Sequence, residues 1–251
     1  MPHNSKLKTQ NSKLKTQNPQ PTTHNPNYAI IVAGGSGMRM QSAVPKQFLL
    51  LNGLPVMMHT VKAFYQSRSK PAIILVLPAD YHTYWKQLCE KHNFTVPHQL
   101  VSGGETRFHS VKNGLDLVED EDAIVAVQDA VRPLTDLSII DHSFSEAAEK
   151  GNAVTAVKSR DSVRQLKGDV SNCLVRDEIY LVQTPQTFQY TQLKKAYEQP
   201  FAAHFTDDAS VVEAMGENIH LIEGNYRNLK ITFPEDIAIA EVLLKTSQGA
   251  V

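Results

Sequence analysis

The chain has 251 residues, of which 41% are hydrophobic and 20% are charged, and its formal net charge is −1. This length suits one large α/β domain or two small ones, and the balanced charge gives no reason to expect a nucleic-acid partner, which would need a basic surface. The two distant cysteines, Cys89 and Cys173, indicate neither a disulfide framework nor a zinc cluster, and without an apolar run of roughly 18 residues for a membrane span we expect a cytoplasmic protein.

An N-terminal tail, residues 1–27, precedes the predicted domain. Residues 4–10 and 11–17 have the same sequence, NSKLKTQ, and the tail contains four lysines and no acidic residue. Because so few large apolar side chains cannot offset the loss of chain entropy, we expect a disordered basic tail. It has no apolar core of a signal peptide. Residues 28–251 are then expected to form a single domain.

The first predicted strand runs directly into a glycine-rich turn. Residues 28–32 form a short β-branched run typical of a buried parallel strand, and the sequence AGGSGMRM follows at residues 33–40. Backbone N–H groups of such a turn can form a nest for an anion. Arg39 and Lys46 add two cations suited to a polyphosphate, although a glycine turn with two solvated cations is the alternative. Neither a P-loop nor GxGxxG is present.

Helices and strands then alternate up to residue 157. The apolar spacing predicts helices over 54–65, 81–92, 108–118 and 135–150, and strands over 72–77, 98–101, 123–127 and 153–157. This order with short glycine loops predicts a three-layer, Rossmann-like α/β fold with a parallel central sheet.

Two of these strands end in polar sequences. The strand over 98–101 leads into SGGETR and a helix with Ser110 in its first turns, where free N–H groups could face a nucleotide; an ordinary βα loop is the alternative. The strand over 123–127 leads into QDAVRP at the sheet edge where open α/β sheets bind ligands. Asp129 there could hold Mg²⁺ against a triphosphate, or could form an ion pair with Arg132 or a helix cap.

The pattern changes near residue 160. Residues 162–166 and 173–176, joined by a turn at 167–169, predict a polar two-stranded arm that protrudes from the domain (about 160–180). Because such an arm is not stable alone, we expect it to contact a partner subunit.

Three motifs fill the last third of the chain: QTPQTF at 183–188, TDDAS at 206–210 and NLKITFPED at 228–236. Thr206 and Asp207 predict a helix start. The apolar residue on each side of Lys230 predicts that it lies in a short central strand. The charge of its side chain would then need an anionic partner. A final amphipathic helix is expected to begin near residue 234.

Taken together and in this order, the motifs over nearly all of residues 28–245 resemble the 2-C-methyl-D-erythritol 4-phosphate cytidylyltransferase family of nucleotidyltransferases. The resemblance implies a homodimer, formed through the arm, with the Rossmann-like nucleotidyltransferase fold. It also implies a Mg²⁺-dependent enzyme that joins CTP to methylerythritol phosphate, releasing pyrophosphate, in non-mevalonate isoprenoid synthesis.

The resemblance also implies a role for each matched residue. Triphosphate binding and catalysis would involve Arg39, Lys46 and Lys230. Binding of the CTP nucleotide would involve Ala33, Gly34, Gly35, Gly37, Gly103, Gly104, Glu105 and Ser110. Asp129 would lie beside the metal ion. Contacts with methylerythritol phosphate would involve Asp129, Ala130, Arg132, Thr206 and, reaching over from the second subunit, Ser162 and Arg176.

The implied chemistry is in-line attack on the α-phosphorus of CTP by a phosphate oxygen that is already anionic, so alignment and charge stabilisation are required rather than a general base. Two positions depart from the family pattern: Gln128 stands where many relatives have histidine, and Ser162 where many have threonine.

Two other functions are alternatives to this activity. The first is ribitol 5-phosphate cytidylyltransferase, and the sequence TDDASVVE argues against it. The second is a non-catalytic nucleotide-binding module, which would be expected to lose some of the residues that this chain retains: Arg39, Lys46, Asp129 and Lys230.

Overall fold

The computed structural model describes residues 26–34 and 44–248. The predicted disordered tail up to residue 25 lies outside the described residues, as do Gly35, Gly37 and Arg39 of the glycine-rich turn. Pro26 and Asn27 belong to the domain, although the sequence analysis assigned them to the tail. Asn27 opens the first strand, and the carbonyl of Pro26 accepts a hydrogen bond from the N–H of Ile124.

The described residues contain the following strands and α-helices, besides three short 3-10 helices. The strands are β1 (Asn27–Val32), β2 (Leu50–Leu51), β3 (Leu54–Pro55), β4 (Ala72–Leu77), β5 (Gln99–Ser102), β6 (Ile124–Asp129), β7 (Asn152–Lys158), β8 (Arg164–Lys167), β9 (Val170–Cys173), β10 (Tyr180–Gln189) and β11 (Leu221–Glu223). The α-helices are α1 (Val56–Gln66), α2 (His82–Lys91), α3 (Arg107–Leu115), α4 (Leu137–Lys150), α5 (Tyr190–Ala196), α6 (Asp208–Glu213) and α7 (Glu235–Gln248). None of the helices in this part of the chain is long and apolar enough to cross a membrane.

A seven-stranded sheet in the order β11-β7-β10-β6-β1-β4-β5 forms the centre of the domain. All neighbouring strands in it are parallel except β10, which is antiparallel to both β6 and β7. The mostly parallel sheet confirms the predicted fold class. In the pairing of β1 with β6, Val32 lies opposite Asp129, so the glycine-rich turn and the QDAVRP segment leave the sheet side by side.

Helices cover both faces of the sheet, which explains why its strands are continuous apolar runs. Successive residues of a strand point to opposite faces. Ile31 belongs to the buried cluster that includes Met57 of α1 and Phe144 of α4. Its neighbour Ile30 belongs to the cluster on the other face, which includes Val111 of α3. The predicted three-layer arrangement is therefore correct.

Strand β10 was not predicted. It contains Pro185, which lacks the N–H that a central strand needs and is tolerated in sheets mainly at bulges. The register between β10 and β7 shifts between Val182 and Gln186, and this irregularity accommodates the proline, whose peptide bond with Thr184 is cis.

The predicted strand around Lys230 is wrong. Residues 228–232 are not in a strand, and the contact of this segment with the QDAVRP loop is a hydrogen bond from the N–H of Ile231 to the carbonyl of Val131. The two side chains of that pair belong to a small separate cluster with Ala240 of α7. The apolar residue after the lysine therefore reflects packing against a loop and a helix, and not a place in the sheet.

The arm is the antiparallel hairpin β8-β9. Every residue of both strands is exposed, and the apolar side chains of Leu166, Val170 and Val175 are 70%, 62% and 62% exposed. The predicted hairpin and its turn are confirmed, with Gly168 in the left-handed region at φ 56°. The bounds of the second strand were wrong, because it spans Val170–Cys173 and not residues 173–176.

Candidate active site

A cavity of about 230 Å³ opens at the carboxyl edge of the sheet, between the ends of β1 and β6. We call it the edge cavity. Its lining includes residues from motifs that are far apart in the sequence: Ala33, Gly34, Lys46, Glu105, Ser110, Asp129 and Lys230. The structure therefore brings together much of the predicted site.

Asp129 at the end of β6 is the electrostatic centre of the edge cavity. Its Oδ2 lies 2.9 Å from the Nζ of Lys230 and 3.3 Å from the Nε of Arg132, while its Oδ1 lies 3.8 Å from the Nε of Arg107. Burial raises the pKa of Asp129, but the charges of Arg107, Lys230 and Arg132 together outweigh this effect and hold the pKa well below its ordinary value. The carboxylate is therefore ionised throughout the neutral range.

Lys46 is positioned at the edge cavity by its own side chain and by the next residue, Gln47. Its Nζ donates a 3.0 Å hydrogen bond to the carbonyl of Ile231, and the amide of Gln47 donates to the carbonyl of Ala33 at 3.1 Å. The next residue, Phe48, is buried in the core. The PKQF sequence thus fixes Lys46 next to the end of β1, with its side chain directed toward the segment that carries Lys230.

Lys230 has the anionic partner that the sequence analysis predicted, because it pairs with Asp129. Its side chain is nevertheless 41% exposed. The ammonium group therefore stands at the boundary between the carboxylate and the solvent that fills the edge cavity, where it can also contact a bound anion.

Ser110 lies close to the loops that follow β1 and β5. Its Oγ accepts a hydrogen bond from the N–H of Gly104 at 3.1 Å and donates to the carbonyl of Thr106 at 2.9 Å. A Cβ on Gly104 would lie 2.4 Å from the Cβ of His109, and a Cβ on Gly34 would lie 3.4 Å from the Oγ of Ser110. Gly104 therefore has no room for a side chain. The SGGETR motif folds tightly onto the start of α3.

Ala130 and Arg132 do not line the edge cavity. Ala130 is fully buried, and its carbonyl accepts a 2.9 Å hydrogen bond from the hydroxyl of Thr60. The Nη1 of Arg132 donates to the carbonyl of Asn228 at 2.6 Å, and burial lowers its pKa. The ion pair of Arg132 with Asp129, one of the predicted alternatives, is present. Arg132 therefore contacts the carboxylate without lining the edge cavity.

Ser162, Arg176 and Thr206 also lie outside the lining of the edge cavity. Ser162 and Arg176 are exposed residues at the base of the arm, and the Nε of Arg176 lies 3.7 Å from the carboxylate of its neighbour Asp177. Thr206 is exposed just before α6, and its N–H donates to the hydroxyl of Ser210 at 3.1 Å. Within one chain these three predicted substrate contacts are not gathered around the edge cavity.

An ion pair at the edge cavity was not predicted: Asp208 is fully buried, whereas Arg107, whose side chain is 29% exposed, lines the cavity. Arg107 donates from Nη1 and Nη2 to the two carboxylate oxygens of Asp208 at 2.9 and 2.6 Å, and the hydroxyl of Tyr197 donates to the same carboxylate at 2.6 Å. Both charged residues stand in motifs that the sequence analysis named, SGGETR and TDDAS. Only their opposite charges could have suggested the pairing, because 101 positions separate the two residues in the sequence.

No cluster of three or more His, Cys, Asp or Glu side chains that could hold a metal ion occurs among residues 26–34 and 44–248. The single carboxylate of Asp129 is sufficient for a Mg²⁺ ion that takes its other ligands from phosphate and water, as this ion commonly does. Its carboxylate is ionised and borders the edge cavity. Its Oδ1 has a charged neighbour in Arg107 only at 3.8 Å, beyond hydrogen-bonding distance.

The fold and the edge cavity define a Rossmann-like α/β protein of the nucleotidyltransferase class. The family model described as 2-C-methyl-D-erythritol 4-phosphate cytidylyltransferase matches residues 28–246. The chain belongs to this family.

Individual relatives agree with this assignment. The chain is 50% identical over 215 residues to the 2-C-methyl-D-erythritol 4-phosphate cytidylyltransferase of Bacteroides thetaiotaomicron, covering 86% of this chain and 98% of the relative. It is 48% identical over 216 residues to the protein of the same name from Bacteroides fragilis, with the same coverage. Among solved structures, the 4-diphosphocytidyl-2C-methyl-D-erythritol synthase of Anaerococcus prevotii superposes with a TM-score of 0.76 at 29% identity, covering 88% of this chain and 96% of that one.

Proposed function

We propose that this chain transfers the cytidylyl group of CTP to 2-C-methyl-D-erythritol 4-phosphate, giving 4-diphosphocytidyl-2-C-methyl-D-erythritol and pyrophosphate. Family membership supports the reaction. The observation that carries the proposal is the convergence of Gly34, Lys46, Asp129 and Lys230 on one cavity at the carboxyl edge of the sheet. These residues supply a close backbone approach, two cations and a carboxylate, which suit a triphosphate and its metal ion.

Lys46 is the proposed contact with the triphosphate, together with Arg39 of the glycine-rich turn. Its ammonium group is fixed by the carbonyl of Ile231, so little side-chain entropy remains to be lost when the anion binds. Gly34, at the start of the glycine-rich turn, lines the same cavity. Gly103, Gly104, Glu105 and Ser110 are proposed to surround the nucleoside, since Glu105 and Ser110 line the edge cavity and the N–H of Gly104 donates to the hydroxyl of Ser110.

The reaction brings two anions together, and the cations of the site offset their repulsion. At an effective dielectric constant of about 20, one cation within about 4 Å of an anion contributes roughly 4 kcal/mol. Lys230 is proposed to stand near the reacting phosphorus, because its half-exposed ammonium group can remain beside Asp129 while it meets a phosphate oxygen. A phosphate nucleophile is already ionised, and proton removal is therefore not required of the protein.

Asp129 is the proposed protein ligand of Mg²⁺. When bound, the ion would neutralise charge on the triphosphate and stabilise the transition state. The chain itself supplies a carboxylate whose low pKa keeps it ionised. Arg132 and Lys230, both on Oδ2, orient that carboxylate.

A homodimer is proposed to complete the site. The arm exposes large apolar side chains on both of its strands, as expected for a surface that a second copy covers. Ser162 and Arg176 at the base of the arm then reach the methylerythritol phosphate in the partner's edge cavity. Arg132 would contribute indirectly, through the carboxylate of Asp129 that it orients. Ala130 is fully buried and Thr206 lies outside the lining of the edge cavity, so neither is proposed as a contact with this substrate within one chain.

The reaction can be tested by phosphorus NMR of a mixture of the protein, CTP, Mg²⁺ and methylerythritol phosphate. Two coupled diphosphate signals of the product and one pyrophosphate signal should grow in equal molar amounts. Hydrolysis of CTP without a new diphosphate ester would contradict the proposal.

A further inference from the structure

The buried carboxylate of Asp208 restrains Arg107. Asp208 is fully buried and accepts two hydrogen bonds from the guanidinium group of Arg107, at 2.9 and 2.6 Å. A third comes from the hydroxyl of Tyr197 at 2.6 Å. Bidentate pairing of this kind fixes the plane of a guanidinium as well as its distance. Arg107 therefore has a defined orientation on the lining of the edge cavity.

The start of α6 is itself anchored to the central sheet. Gln186 of β10 accepts a 2.9 Å hydrogen bond from the N–H of Ala209 and donates one of 2.9 Å to the side chain of Asp207. Asp207 and Ser210 also form a capping box around the first turn. Asp208 lies between these anchored residues, so its carboxylate cannot shift to follow Arg107.

Arg107 stops just short of Asp129. Its Nε lies 3.8 Å from the Oδ1 of Asp129, whereas a charge-assisted hydrogen bond would be about 2.7–2.9 Å long. The other oxygen, Oδ2, is already in contact with Lys230 and Arg132. Among the contacts of the described residues, Oδ1 is thus the oxygen of Asp129 that remains available on the edge cavity.

We propose that Asp208 is a positioning residue that holds Arg107 away from the Oδ1 of Asp129 and thereby keeps this oxygen open to a divalent cation. Without Asp208, the guanidinium group would be free to move about 1 Å and close a direct hydrogen bond on Oδ1. The cation would then have to compete with Arg107 for the same lone pairs. This inference rests on the proposed function, in which a triphosphate and Mg²⁺ occupy the edge cavity.

The test measures metal binding and not turnover. Mn²⁺ is titrated into the protein in the presence of CTP, and the water-proton relaxation rate separates protein-bound Mn²⁺ from the free metal–nucleotide complex. Asp208→Asn should weaken Mn²⁺ binding about tenfold or more, as changes in residues that support metal ligands commonly do. The double variant Asp208→Asn with Arg107→Met should recover binding to within about threefold of the unsubstituted chain, because the competing guanidinium group is gone.

Asp141→Asn is the matched control. Asp141 accepts hydrogen bonds from the N–H and the hydroxyl of Ser69 at 2.9 and 2.8 Å and does not line the edge cavity. It should bind Mn²⁺ like the unsubstituted chain, and circular dichroism should show that all variants are folded. If Asp208→Asn alone does not fold, the double variant decides, because it removes both charges of the ion pair together.

Two results would overturn the inference. The first is a folded Asp208→Asn variant whose affinity for Mn²⁺ equals that of the unsubstituted chain. The second is a double variant whose affinity for Mn²⁺ is lower than that of the unsubstituted chain by about tenfold or more. The measurement contains no polyol phosphate, so its outcome is independent of the proposed reaction. A chain that shows the expected metal binding and fails to use methylerythritol phosphate would refute the proposed function while supporting the role of Asp208.

Discussion

The ammonium group of Lys46 donates a 3.0 Å hydrogen bond to the carbonyl oxygen of Ile231, a residue 185 positions further along the chain. Ile231 directly follows Lys230, whose own ammonium group pairs with Asp129. Two cations of the site, Lys46 and Lys230, therefore meet at one short segment, which carries one of them and accepts a hydrogen bond from the other. Because that segment is also tied to Val131, the geometry of the two lysines depends on the loop after β6.

Removal of either lysine should reduce turnover without unfolding the protein. We expect Lys46→Ala and Lys230→Ala each to lower kcat with CTP and methylerythritol phosphate by about 100-fold or more, since each removes a fixed cation that stabilises charge in the transition state. Steady-state kinetics and a thermal melt measure the two properties. Lys86→Ala, at an exposed position on α2, is the control and should be unchanged. Rates near normal for either site variant would mean that the triphosphate binds elsewhere.

Asp129→Asn should destabilise the protein in a pH-dependent way. The substitution leaves three cations without their shared carboxylate, which should cost about 3 kcal/mol of the free energy of unfolding at pH 7. The pKa of Asp129 is lowered in the folded state, so its stabilising effect is present above the unfolded pKa of about 3.9 and declines as the pH falls below it.

Urea unfolding of the unsubstituted chain and Asp129→Asn at pH 7 and pH 3.5 measures this dependence. The difference between the two proteins should be smaller at pH 3.5. An equal difference at both pH values would show that the ionised carboxylate is not the source of the stability.

The strands of the sheet could be predicted where a residue's immediate neighbours decide its structure. β1, β4 and β6 are short apolar runs buried on both faces, and their sequences alone identify them. β10 was missed because Pro185 normally argues against a central strand, and only the register shift against β7 makes it acceptable. Thr135 was predicted to begin a helix, but its hydroxyl is taken up by Asn228, and α4 begins at Leu137.

The candidate site was predictable only in part, for a similar reason. Motifs at strand ends identified Gly34 and Asp129, because carboxyl ends of parallel strands meet at one edge, and Lys46 was identified as a cation that follows the glycine-rich turn. The pairing of Arg107 with Asp208 depends on how α3 and α6 pack, which spacing in the sequence does not encode. The alternation around Lys230 suggested a strand because Ile231 is apolar, although that side chain packs against α7.

The arm should act across a dimer interface. Arg176→Ala and Lys46→Ala are each expected to be nearly inactive, the former because it removes a substrate contact in the partner's site. Mixed dimers contain one edge cavity with both residues intact, so an equal mixture after subunit exchange should recover about a quarter of normal activity in a symmetric dimer. Activity of the mixture no greater than that of the separate variants would show that Arg176 acts within its own chain or not at all.

Cys89 should be a slow nucleophile. Burial, aided by the neighbouring charge of Glu90, raises its pKa to about 11, so that only about one thiol in a thousand is a thiolate at pH 8. In Cys173→Ser, Cys89 is the only cysteine of the chain. Its rate of alkylation should rise about tenfold per pH unit from pH 8 to pH 10. A plateau beginning near pH 8.5 would contradict the raised pKa.

The most direct measurement of the central claim is pyrophosphate release with CTP and Mg²⁺, compared for methylerythritol phosphate, ribitol 5-phosphate and no acceptor. We predict rapid release with methylerythritol phosphate, little with ribitol 5-phosphate and none without an acceptor, and loss of the release in Lys230→Ala. Release that is as fast with ribitol 5-phosphate would contradict the assigned acceptor. No release with either polyol phosphate would contradict the assignment of this cavity as a cytidylyltransferase active site.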